Sequence, residues 1–110
     1  MMEYFCNLEK VQQKTLLEGV RMKAVFGERI MMSFFDLDAG AVIPEHHHPH
    51  EQMGYVISGV LEFQIGGQQK ICQTGDSYII PSNVPHQVKV SDDAPARVLD
   101  VFSPPREEYK

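Results

Sequence analysis

The feature that most constrains this chain is its punctuation. From residue 30 onward, short apolar stretches are each closed by Gly, Pro, Ser or Asp. Residues 30–37 (IMMSFFDL) end at Asp38-Ala39-Gly40, and residues 52–57 (QMGYVI) end at Ser58-Gly59. Residues 60–65 (VLEFQI) end at Gly66-Gly67, a pair that reads as a tight hairpin turn. QKIC then runs to Gly75-Asp76, SYII stops at Pro81, and His86 to Val90 alternates apolar with polar. The last stretch, 96–102 (ARVLDVF), is ended by Pro104-Pro105. Stretches of this length suit strands better than helices. About eight short strands with such turns predict an all-β sandwich or barrel. Only residues 8–18 (LEKVQQKTLLE) offer a short turn or helix, and their apolar spacing is irregular. The tail from Ser103 to Lys110 is expected to be irregular, with its middle packed back on the barrel.

At 110 residues and 43% hydrophobic, the chain is sized for one domain, 1–110, with a real core. Met22, Met31, Met32 and Met53 are expected to fill that core, since methionine packs irregular gaps. A formal charge of −5, with basic residues scattered, argues against a nucleic-acid partner. Cys6 and Cys72 form neither a CxxC pair nor a zinc-knuckle spacing and read as reduced thiols. The opening MMEYFCNLEK is charged and has no signal-like apolar run, and no apolar stretch approaches the roughly 18 residues that a membrane span requires. The expectation is a cytoplasmic protein with no membrane partner.

Four of the five histidines fall between positions 46 and 50, in EHHHPHE, and the fifth is His86. The run is internal and broken by Pro49, unlike an affinity tag. In an extended strand alternate side chains share a face. His46 and His48 then point one way and His47 the other, so two imidazoles can serve one metal ion if further ligands converge. His86 offers one from another strand, on the same face as Val88 and Val90. Imidazole suits zinc, copper, iron and nickel.

These residues closely resemble the two motifs of the cupin superfamily. The first motif, G-x5-H-x-H-x3,4-E-x6-G, is matched over about 40–59 by Gly40, His46, His48, Gln52 and Gly59 with every spacing kept. The second, G-x5-P-x-G-x2-H-x3-N, is matched over about 75–90 by Gly75, Pro81 and His86. Asn83 replaces its glycine and Val90 its asparagine. Asparagine tolerates the left-handed backbone that glycine supplies there. The resemblance implies a single-domain cupin, a double-stranded β-helix or jelly-roll barrel. It also implies one divalent metal ion (nickel, zinc, manganese, iron or copper) on His46, His48, Gln52 and His86. Glutamine at the usual glutamate position is the main departure. Glu51 is the rival ligand, while strand parity with His46 and His48 favours Gln52. Three imidazoles and an amide would leave the ion's charge uncompensated, attractive to an anionic oxygen ligand.

Two segments narrow the function. HHHPHEQMGYVISG resembles a stretch of small bacterial cupins of pectin and alginate degradation, which convert 4,5-unsaturated uronates to the linear ketonic sugar acid. DVFSPPREEY resembles their C-terminal segment, in which an Asp, a Phe and an Arg recur, here Asp100, Phe102 and Arg106. The resemblance implies that Asp100 moves a proton, Arg106 clamps a carboxylate and Phe102 lines the site. Strand parity places Asp100 and Phe102 on one face with Val98. Asp100 as a structural acceptor and Arg106 as a solvated tail residue are the alternative readings. At the level of function, the alternatives are a metal-dependent dioxygenase and a non-catalytic binder of a sugar or other small ligand. The expected partner is a small anionic sugar acid. Leu99 and Val101, opposite Asp100, are expected to meet a second sheet or subunit, and the family resemblance implies a homodimer.

Overall fold

A computed structural model describes residues 3–110. Ten strands follow one another: β1 (Lys14–Leu17), β2 (Val20–Phe26), β3 (Met31–Leu37), β4 (Val42–His46), β5 (Glu51–Ser58), β6 (Val60–Ile65), β7 (Gln68–Gln73), β8 (Ser77–Ile80), β9 (His86–Val90) and β10 (Ala96–Ser103). They form two antiparallel sheets, one ordered β1-β2-β3-β10-β5-β8 and the other β4-β9-β6-β7. The all-β jelly-roll barrel is as expected. The Gly66-Gly67 hairpin also forms, with Ile65 paired to Gln68 and positive φ at both glycines.

The segment 8–18 is not a helix. It contains a single 3-10 turn at Leu8–Lys10, and its second half is strand β1. Two further strands escape the punctuation. In β2 the apolar residues Val20, Met22, Ala24 and Phe26 alternate with Arg21, Lys23 and Val25. In β4, Pro44 breaks the alternation. It is tolerated because β4 is an edge strand and its register shifts between Ile43 and His46.

The core fills the space between the sheets. Phe102, Met22, Met31, Leu37, Leu61 and Ile80 are its largest fully buried side chains. Each such side chain contributes roughly 1.5–3 kcal/mol of burial. Met32 and Met53, expected in the core, are instead 39% and 51% exposed. Parity is the reason: each neighbours an inward residue, Met31 and Gln52 respectively, and so faces out. Leu99 and Val101 also face outward and are half-buried. The tail does pack back: Pro105 is buried, and a 3-10 turn at Glu107–Tyr109 sets Tyr109 against the core. Among the described residues no helix is long and apolar enough to cross a membrane.

Candidate metal centre and pocket

The barrel's open end is built where two loops meet. His46 ends β4 and stands in register with His86, which begins β9, their rings 4.3 Å apart. His48 lies in the loop 47–50. Two bonds tie that loop to the one before β9. The Asn83 N–H donates to the His48 carbonyl at 2.8 Å, and the Ser82 hydroxyl donates to the Pro49 carbonyl at 2.6 Å. Asn83 takes a left-handed φ of 64°, the conformation expected where the motif has glycine. Although the strand stops at His46, the predicted facing survives: His48 is buried and His47 exposed.

The three imidazoles are prepared alike. The Nδ1 atoms of His46, His48 and His86 lie 2.9, 3.0 and 2.8 Å from the carbonyls of Pro44, His50 and Val84. A carbonyl can only accept, so each Nδ1 carries a proton, which leaves Nε2 as the nitrogen that ligates in the neutral ring. One nitrogen from each ring lies within 4.8 Å of the others, a spacing that can hold a metal ion. Burial, then the positive charge of Arg106 and of His86, pushes the His48 imidazole down to about 4. Burial also lowers that of His86. Both rings are therefore neutral at pH 7, the form that ligates.

Gln52, on β5, is buried, with Oε1 3.0 Å from His48 Nε2, while Glu51 faces outward and is exposed. The Gln52 amide also lowers the Asp100 carboxyl, as a nearby N–H donor does, which places the amide nitrogen on the Asp100 side. The Gln52 oxygen and the His48 lone pair then face each other, two acceptors with no hydrogen between them. The buried Nε2 of His86 has no partner either. A cation is the species this donor set lacks, and the residues fit one.

Beside the histidines, Asp100 and Phe102 point inward from β10, both buried, with Phe102 paired to Gln52 across the strands. The Phe102 ring meets His48 edge-on at 5.7 Å. Burial raises the Asp100 carboxyl to about 6, against the lowering effect of hydrogen bonds from Tyr78 and Gln52. Arg106 is not a solvated tail residue. Its side chain is 13% exposed, its guanidinium stacks 5.3 Å from the Phe102 ring and 4.5 Å from that of Tyr109, and Nε donates to Glu108 at 2.7 Å. His46, Gln52, His86, Asp100, Phe102 and Arg106 all line one pocket of about 50 Å³, with apolar walls from both sheets.

Sequence reasoning passes over two residues of this pocket. Tyr109 supplies the nearer of the two rings against the Arg106 guanidinium and carries no strand signal. Tyr78 donates to Asp100. Its inward parity with Ile80 is legible in SYII, but its neighbour on β10 is not. His50 is a half-buried ring 5.5 Å from His48, and its main-chain carbonyl orients His48.

Comparison with known proteins agrees with this architecture. The cupin domain family matches residues 33–102. The pectin degradation protein KdgF of Dickeya dadantii is 32% identical over 111 residues, spanning 99% of both chains. The solved structure of KdgF from a Halomonas species superposes with a TM-score of 0.88 at 27% identity, covering 100% of each chain. An RmlC-like cupin from Shewanella frigidimarina gives 0.91 at 27% identity, covering 99% of this chain and 97% of that one. A family match running through both histidine motifs, with a relative alike from end to end, means that the chain belongs to the cupin family.

Proposed function

We propose that this single-domain cupin is a metal-dependent enzyme that opens and tautomerises a 4,5-unsaturated uronate, or a closely similar small sugar acid. The observation that carries the reading is the grouping of three converging imidazoles with a buried carboxylate and an arginine held against two aromatic rings. End-to-end similarity to a pectin degradation protein supports the substrate class. His46, His48, Gln52 and His86 would hold one divalent ion, which when bound supplies Lewis acidity to a substrate oxygen.

The residues divide the remaining work. Arg106, planar and held against two rings, binds the sugar carboxylate through its outer nitrogens. Phe102 presses on both His48 and Arg106 and keeps water from the reacting edge. Asp100, with a carboxyl poised near neutrality, takes the proton of the anomeric hydroxyl as the bond from the anomeric carbon to the ring oxygen breaks. Returning that proton to C4 converts the resulting enol to the ketone. One proton is moved and no electron is gained or lost, so no oxidant is required.

The test is NMR of 4,5-unsaturated galacturonate with metal-loaded protein, with and without oxygen. The expected result is conversion to the open-chain keto acid faster than the spontaneous reaction and indifferent to oxygen, with Asp100→Asn losing turnover at unchanged metal content. An oxygen requirement would replace this reading with the dioxygenase one. Stabilisation by the sugar without conversion would replace it with a binding module.

The same reading includes a cytoplasmic homodimer. Met32, Met53, Tyr55, Ile57 and Ile79 are all at least 39% exposed on the outer face of the six-stranded sheet, flanking Leu99 and Val101. The outer face of the other sheet is mixed, with Glu62, Gln64, Gln87 and Lys89 set among the exposed Val42, Val60 and Ile71. A contiguous apolar face rimmed by polar residues is what an isologous contact between two copies buries.

A further inference from the structure

Tyr78 stands inside the pocket and has no part in the scheme above. It faces Gly54, which in turn faces Asp100, so the three residues form one row across β8, β5 and β10. From that row the Tyr78 hydroxyl donates to Asp100 Oδ1 at 2.5 Å, and both side chains are buried. The bond skips a strand. It can do so only because residue 54 has no side chain: a Cβ there would lie 2.1 Å from Tyr78 Cζ and 2.3 Å from Asp100 Oδ1. Gly54 is not among the residues with positive φ, so space and not backbone conformation demands glycine. A glycine inside a strand weakens it, and here the missing side chain opens a path for one hydrogen bond to one carboxylate. The Tyr78 ring is separately fixed by Phe63, their centroids 4.2 Å apart.

We propose that Tyr78 is a positioning residue for Asp100: it anchors Oδ1 and so fixes the orientation in which the carboxylate meets substrate, and Gly54 keeps the crossing open. This rests on the reading of Asp100 as the proton carrier. A carboxylate anchored at one oxygen keeps a single orientation, and proton transfer falls steeply when the carrier is misplaced by an ångström or less.

The test is Tyr78→Phe, which keeps the ring against Phe63 and removes only the hydroxyl. In the unsaturated-galacturonate assay with metal-loaded protein, kcat is expected to fall about 10- to 100-fold, with KM within about twofold and metal content unchanged. A parallel readout needs no turnover. In metal-free, carbon-13-labelled protein the Asp100 carboxyl resonance, assigned by its loss in Asp100→Asn, should move in Tyr78→Phe. Wild-type kcat in the variant, or an unmoved resonance, overturns the proposal. A fall in kcat matched by an equal rise in KM also overturns it, since that would be a binding role. If wild type itself turns nothing over, the uronate reading fails alone. The resonance then decides whether Tyr78 positions Asp100.

Discussion

Replacing Asp100 with asparagine should make the metal-free protein more stable at neutral pH and leave it nearly unchanged near pH 4. Burial lifts the Asp100 carboxyl from 3.8 to about 6 despite two hydrogen bonds. The folded chain thus holds this proton more tightly than the unfolded chain does. The stability from the group is fully present below pH 3.8 and is lost as the pH rises through 6. At about 1.36 kcal/mol per pH unit, the loss is about 3 kcal/mol. Asparagine carries no charge but accepts less well, giving back about 1 kcal/mol. The net gain at pH 8 is about 2 kcal/mol, or about 8 °C in Tm for a domain of this size.

His48 acts in the opposite sense. Its imidazole is pushed from 6.5 down to about 4, so its contribution is present above pH 6.5 and lost as the pH falls toward 4. In wild type the two trends oppose each other between about pH 4 and 6, and stability varies little there. Asp100→Asn leaves the His48 trend alone, so the variant should lose stability steadily on acidification. The assay is urea unfolding followed by circular dichroism in EDTA, from pH 4 to pH 8. The quantity read is variant minus wild type, in which His48 cancels. A difference flat within about 0.5 kcal/mol across the range, beyond extrapolation error, refutes the reasoning. A costly buried carboxylate is a typical place for stability to be given up for activity.

Three further outcomes are expected. His86→Ala should lose stoichiometric metal by elemental analysis and Gln52→Ala should weaken it, while Glu51→Ala keeps it; the reverse order for positions 51 and 52 would make Glu51 the ligand. Arg106→Lys, which keeps the charge but loses the planar fork and the stacking on Phe102 and Tyr109, should raise KM for the sugar acid at least about tenfold with a smaller change in kcat; an unchanged KM would exclude a carboxylate clamp. Ile79→Lys, on the exposed apolar face, should halve the mass seen by light scattering without lowering Tm; a wild-type monomer would remove the homodimer.

Strand parity was the strongest information that the amino-acid order carried. It set Val98, Asp100 and Phe102 on one face and Leu99 and Val101 on the other, and it separated Gln52 from Glu51, because the side-chain period of a strand is close to two and local. The same rule, not applied to Met32 and Met53, would have moved both out of the core. Spacing of the histidines and glycines carried the family and the cluster of His46, His48 and His86.

What the order could not carry was which strands lie side by side. Sheet neighbours such as β10 with β3 and β5, or β9 with β4 and β6, are distant in sequence, and their pairing is decided by closing the whole barrel. For that reason Tyr78 and Asp100, 22 residues apart, meet across Gly54 only in the folded chain. Arg106 likewise gains its place from Tyr109, in a tail with no repeating pattern. Local periodicity tells a side chain which way to face; only tertiary packing tells it what it will find there.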